Sequence, residues 1–341
     1  MKPGFSHDPA QAEADIAAYR RDASVIATLP LGRFSDAGVR SLLLRRLLLR
    51  LPLPLTWLNA ITRLRGKRRA SNASDFGAEL AYWRRAKQRL QRAEWEALAH
   101  GPVVLMYHAV AVPGERASRY VIPGPRFKRQ MAWLRKRRYR FMRLRDLARA
   151  RFEGLPAPHS VIVTFDDGYC DNGPALSLAG IPATIFAVTN AMGATNCWDA
   201  EGHLVGRPLL GWEEARRLAR TGVEVGAHTR THPVLPRVSP ERLRDEVRGS
   251  LEDLERELGP GEYTFAYPQG RFDERTQEAV AVAGFTAACC SRGGVNDPNI
   301  PPFELRRVEI KGTDSFLSFV LMVWLGRRIT PLQFLRSLLV G

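Results

Sequence analysis

Between residues 101 and 310 the chain alternates short apolar, β-branched runs with helical patterns, and this rhythm constrains its fold more than any other feature. The runs cover residues 103–107, 161–165, 183–188, 223–227, 263–267, 285–290 and 305–310. Helical patterns fall between several of them, at 126–136, 212–220, 241–258 and 273–283. Strands separated by helices are the mark of an α/β architecture with parallel strands. Seven such strands predict an irregular TIM-like (β/α)7 barrel, flanked by a helical N-terminal extension and C-terminal helices. The expected divisions are residues 1–100, 101–310 and 311–341.

The flanks differ from the centre in charge. The formal net charge is +16, and residues 33–69 hold ten basic side chains against one acid, Asp36, interleaved with Leu42, Leu43, Leu44 and Trp57. Arginine stems can lie along an apolar surface with their heads in water, so this stretch fits peripheral contact with an anionic membrane. A helix packed on the main domain with solvated arginines fits equally well. Residues 311–341 read as an apolar helical tail, and no stretch reaches the ~20 apolar residues of a spanning helix. Residues 1–21 are polar and lack the apolar core of a secretory signal, from which a cytoplasmic location is expected, with the inner membrane face as a peripheral site. The four cysteines show no metal or disulfide spacing, and the adjacent Cys289 and Cys290 read as buried free thiols. The charge alone could suit a nucleic acid, but no recognition motif accompanies it, and no nucleic acid is expected.

Polar clusters sit where a parallel barrel would gather them. His108 follows the first run, Asp166 and Asp167 the second, His228 the fourth, and Tyr267 and Pro268 close the fifth. The C-terminal ends of parallel barrel strands share one face, and reactive groups collect there. Taken alone, Asp-Asp-Gly is an ordinary turn. His228 and His232, four apart, would share one face of a helical turn, a common way to present two nitrogens to zinc; two unrelated loop histidines are as common. With a carboxylate from a neighbouring strand end, the pair becomes a two-histidine, one-carboxylate site with positions open to water.

The segments "TFDDGY", "HTRTH" and "FAYPQG", in that order, resemble the polysaccharide deacetylases of carbohydrate esterase family 4, the NodB-homology group. The likeness covers roughly residues 101–310. The opening "VLMYHAV" is similar to the branch in which the general-acid motif has moved to the front of the domain. The resemblance implies that Asp166 is the general base, that Asp167, His228 and His232 hold one divalent metal ion, and that His108 is the general acid. Zinc is expected, with nickel, cobalt and manganese open. No histidine follows Ala266, so His108 fills a role with no late candidate. A backbone N–H at Gln269 would help hold the oxyanion. The family's R-x-P-Y-G motif has alanine, Ala266, in place of its arginine. Arg307, in "LRRVEI", is the candidate substitute, and a solvated strand-edge arginine is the equal alternative. Tyr169, Trp198, Tyr267 and Pro268 are candidate substrate contacts, with rim packing as the plainer role for the aromatics.

The implied activity is metal-dependent hydrolysis of the N-acetyl amide of an amino sugar in a polysaccharide, an oligosaccharide or its lipid-linked precursor. Two alternatives stand beside it: a deformylase or deacetylase of a lipid-linked sugar at the inner membrane face, and an inactive carbohydrate-binding protein of the same fold.

Overall fold

The computed structural model describes residues 102–154, 159–198, 204–296 and 300–328, with Thr330 and Gln333. The expectations for residues 1–100 and for a second C-terminal helix at 331–340 lie outside the described residues, Gln333 apart. In chain order the elements are β1 (Val103–Tyr107), β2 (Ala109–Val110), β3 (Val121–Ile122), α1 (Gly124–Lys136), β4 (Arg140–Met142), α2 (Leu144–Phe152), β5 (Ser160–Phe165), α3 (Asn172–Ala179) and β6 (Ala183–Ala187). There follow α4 (Trp212–Arg220), β7 (Val223–Ala227), α5 (Pro240–Leu258), β8 (Thr264–Ala266), α6 (Glu274–Ala283), β9 (Ala287–Cys289), β10 (Arg307–Glu309) and α7 (Phe316–Leu325).

The main sheet runs β10-β1-β5-β6-β7-β8-β9, every pair parallel. A parallel bridge between Cys289 and Leu305 ties β9 to the segment entering β10 and completes the ring. The fold is therefore an irregular TIM-like barrel of seven strands with helices outside. The sheet also contains an eighth strand that the seven-run count missed: β4 pairs with the N-terminal half of β5, off the ring. Helices α2 and α3 were likewise not expected, and β2 with β3 forms a small parallel pair of its own.

Burial explains the run pattern. Every residue of β1, β5, β6 and β7 is buried, since each strand faces the barrel interior on one side and helices on the other. On α5, Leu243, Val247, Leu251 and Leu254 line one face and pack with Val225, Phe265 and Phe285. Each such side chain contributes about 1.5–3 kcal/mol on burial. Ser239 caps α5 by accepting from Arg242 N, and Pro240 opens it at a position that needs no N–H. At the foot of the barrel Glu224 is buried, accepting from the hydroxyls of Thr184 (2.8 Å) and Thr264 (2.5 Å) and from Arg145 N (3.0 Å). Helix α7 lies beside α1, where Trp133 meets Phe316, Phe319 and Trp324. Among the described residues no helix is long and apolar enough to cross a membrane.

Candidate active site

The strands all point one way, so their C-terminal ends form one rim, and the polar clusters meet there. Asp166 and Asp167 leave β5, with Asp167 and Gly168 both left-handed (φ 71° and 74°). That turn carries the chain off the strand and aims the Asp167 carboxylate towards the end of β7. His228 follows β7, anchored by its N–H to Ala187 O at 2.8 Å. Its Nδ1 lies 2.7 Å from Ala266 O, so the ring donates there and leaves Nε2 as the free lone pair. His228 Nε2 is 3.8 Å from Asp167 Oδ1, and His232 Nε2 is 3.5 Å from the same oxygen.

The two histidines do not share a helical turn. Residues 228–233 form an irregular loop with Thr229 and His232 left-handed (φ 66° and 61°), and Thr229 Oγ1 accepts from His232 N at 2.9 Å. The loop folds back on itself and brings the imidazoles edge to face, 4.8 Å apart. A four-residue spacing thus meets at one point through a loop rather than through helical geometry.

One donor atom from each of Asp167, His228 and His232 falls within 4.8 Å of the others. Ligands bound at ~2.0–2.1 Å in tetrahedral array stand about 3.3 Å apart, so small side-chain movements close this set around one ion. Burial lowers the pKa of His228 to about 4 and that of His232 well below its ordinary value, with His228 adding to the effect on His232. Both rings are therefore neutral, the form a metal ligand requires. Oxygen and imidazole donors with open positions suit zinc and its first-row neighbours.

Beside this cluster Asp166 is buried and held bidentate by Arg307, at 2.5 and 2.8 Å. The guanidinium lies inside the barrel, its Nε donating to Cys290 O at 3.0 Å and its plane near the Phe186 ring. The solvated strand-edge alternative for Arg307 is excluded, because the side chain has no exposed surface. Burial alone would raise the Asp166 pKa, but Arg307, His228 and His108 outweigh it and bring it down to about 2. His108 sits at the end of β1 against the Tyr120 ring, its carbonyl accepting from Asn172 Nδ2 at 2.7 Å. Burial lowers its pKa, and Arg307 adds to this against the opposing pull of Asp166.

The aromatic expectations divide. Tyr169 and Tyr267 are fully buried, and Pro268 is buried too, so none offers a face to a sugar. Tyr267 stacks on Phe272 and donates to Phe303 O at 3.1 Å. Tyr169 instead supports the rim: its hydroxyl accepts from Asn196 Nδ2 at 2.7 Å, and Asn196 Oδ1 accepts from Trp198 N at 3.2 Å. Trp198 is half-buried with its ring 5.0 Å from that of His232. Gln269 is exposed and left-handed (φ 56°) in the tight turn after β8. Arg207 was not singled out from sequence, since the loop around it has no periodic pattern. It ties three rim loops together through Asp171 (2.7 Å), Glu115 (2.6 Å) and Val110 O (2.9 Å).

Fold and site together define a class: a parallel barrel with an Asp-His-His cluster at its strand ends and an arginine-held carboxylate beside it. Residues 154–288 match the family model for polysaccharide deacetylase. That match, with the relatives and the fold, supports a polysaccharide deacetylase domain of the NodB type. It is 24% identical to YxkH of Bacillus subtilis, a protein assigned to the polysaccharide deacetylases, over 61% of this chain and 70% of that protein. It is 22% identical to the poly-beta-1,6-N-acetyl-D-glucosamine N-deacetylase of Staphylococcus epidermidis, over 59% of this chain and 71% of the relative. Among solved structures it resembles IcaB from Ammonifex degensii, with a TM-score of 0.55 and 26% identity, over 67% of this chain and 97% of that one.

Proposed function

We propose that the domain hydrolyses the N-acetyl amide of an amino sugar in a polysaccharide or oligosaccharide, with one divalent metal ion held by Asp167, His228 and His232. The observation that carries this reading is the convergence of those three donor atoms beside the buried Asp166–Arg307 pair. The names of the relatives support the substrate class, since one acts on poly-N-acetylglucosamine.

Amide hydrolysis needs an activated water, a stabilised oxyanion and a proton for the leaving amine. A bound cation of this type supplies Lewis acidity at the acetyl oxygen and at water. Asp166 is the base in this reading. Arg307 fixes its carboxylate in one orientation and keeps it ionised, so it is ready to take a proton from water. His108, in this reading, would give a proton to the amine nitrogen as the C–N bond breaks. The exposed left-handed turn at Gln269 offers a backbone N–H at the rim for the oxyanion. Trp198, beside His232, is the aromatic left to contact the sugar.

The test is acetate release from short N-acetylglucosamine oligomers by protein stripped of metal and then given zinc, cobalt, nickel or manganese. Release that depends on metal and disappears in Asp166→Asn is expected. Turnover unaffected by chelation, or retained in Asp166→Asn, would show that the assignment of these residues is wrong.

A further inference from the structure

The two histidines of the cluster are presented by a loop with two left-handed residues, an arrangement that short polar chains do not hold unaided. Helix α5 supplies the support. The Glu246 carboxylate is 1% exposed, and it faces the loop rather than solvent. Its Oε2 accepts from Arg230 N at 3.0 Å and from Thr231 N at 2.8 Å, and Oε1 accepts from the Thr231 hydroxyl. These are amides between His228 and His232. Asp253, two turns along the same helix, accepts from Arg230 Nε at 3.1 Å and from Thr189 Oγ1 at 2.7 Å. Between them lies Gly249, where a Cβ would meet Arg230 Cδ at 2.6 Å, so the missing side chain lets the arginine stem lie against the helix.

We infer that Glu246 is a positioning residue for the metal centre, one that sets its affinity by holding the 229–232 loop in the shape that aims the His232 ring at Asp167. The inference rests on the metal-centre reading above and extends it to a residue that touches neither metal nor substrate. A buried carboxylate that accepts from two N–H groups of one loop disfavours that loop's alternatives, because any other loop shape leaves it only the Arg242 guanidinium, 3.6 Å away on its own helix. Supports one step removed from metal ligands typically alter affinity about 10- to 100-fold. The sequence offers no sign of this, since Glu246 lies in a helix rich in charge and reads as solvent-facing.

The experiment is competitive titration of zinc into metal-stripped full chain against a chromophoric chelator, with the visible spectrum of the cobalt-loaded protein as a second readout. Asp167→Ala serves as the control for the centre itself. Glu246→Ala is expected to bind zinc about 10- to 100-fold more weakly, with an altered cobalt spectrum. Glu246→Gln keeps an oxygen for the two amides and an N–H for the Thr231 hydroxyl, so it is expected to stay within about threefold of wild type. Thr231→Val, which removes one bond and leaves the carboxylate buried with two, keeps the inference testable if the alanine variant does not fold; several-fold weaker binding is expected. Wild-type affinity and spectrum in a folded Glu246→Ala, or in Thr231→Val, would overturn the inference while leaving the centre intact. Failure of the wild type to bind zinc more tightly than Asp167→Ala removes the centre, and this inference with it.

Discussion

At the scale of single residues the site is a set of charges taken out of water, and each depends on its neighbour. Arg307 and Asp166 are both buried, so either one alone would be an uncompensated charge in the barrel. Breaking such a pair costs about 3–5 kcal/mol, whereas replacing both partners is far milder. Arg307→Met should therefore lower stability by that order, and the double variant Arg307→Met with Asp166→Asn should recover much of it. Urea unfolding of the three proteins checks this, and a double variant no more stable than Arg307→Met would refute the coupling. The histidines make a second, opposite-signed statement. Burial holds the His228 pKa at about 4, while an unfolded histidine titrates near about 6.5. Between those pH values the unfolded chain takes a proton that the folded chain refuses. The stability of metal-free protein is thus complete above about pH 6.5 and falls as the pH drops towards about 4, by about 3 kcal/mol from this residue. His232 and His108, pulled down by the same burial, steepen the fall. Asp166 begins to lose its own contribution only below about pH 4 and has lost it below about pH 2, beneath that window. Urea midpoints of chelated protein across this range should slope; a flat profile would mean that these rings are not buried neutral.

At the scale of elements, the parts easiest to read from sequence were those whose burial was simplest. The strands β1 and β7 and helix α4 match their expected ranges end to end, and for β1 the reason is that an unbroken apolar run marks a strand buried on both faces. The triplet β4 went unread because Arg140 precedes only two apolar residues and its stretch is crowded with arginines. The short α3 begins Asn172-Gly173-Pro174, a sequence that resembles a loop. Site residues at strand ends were visible for the same reason that the strands were. Arg307 was named only as a candidate, with a solvated role equally open, since it adjoins Arg306 and nothing local says which of two neighbouring arginines turns into the barrel. Glu224 was hidden in an apolar run, its partners arriving from β6, β8 and α2. Close approach is equally silent in sequence until a structure shows the contact. Gly226 lies in β7 where a Cβ would meet Thr264 O at 2.6 Å and the Phe186 ring at 2.9 Å. Neither backbone oxygen nor packed ring can yield easily, so Gly226→Ala should force β7 from β8 and cost about 1–3 kcal/mol. Because His228 lies two residues on, the same variant should bind zinc more weakly; thermal unfolding with zinc titration tests both, and an unperturbed melting temperature would mean the sheet relaxes freely.

At the scale of the whole domain, the three proposed ligands come from two loops that are distant in sequence and adjacent only after the barrel has closed. Asp167 leaves β5, and His228 and His232 leave β7, with β6 running between the two strands. An unfolded chain cannot hold the three donors together, so the ion binds the folded state almost alone, and its binding energy becomes folding energy. At a metal concentration about a hundredfold above Kd that amounts to about 2.7 kcal/mol. For a domain of roughly 200 residues each kcal/mol moves the melting temperature by about 2–4 °C, so saturating zinc should raise it by about 5–10 °C. Cys170 and Cys197 are exposed thiols that can also take zinc, and they would do so as well in an unfolded chain. Asp167→Ala separates the two: it keeps the thiols and removes one arm of the cluster, so its melting temperature should barely respond to zinc. A wild-type shift retained in Asp167→Ala would place the stabilising ion elsewhere. No shift in wild type, with zinc well above micromolar, would show that the cluster closes around no ion at all.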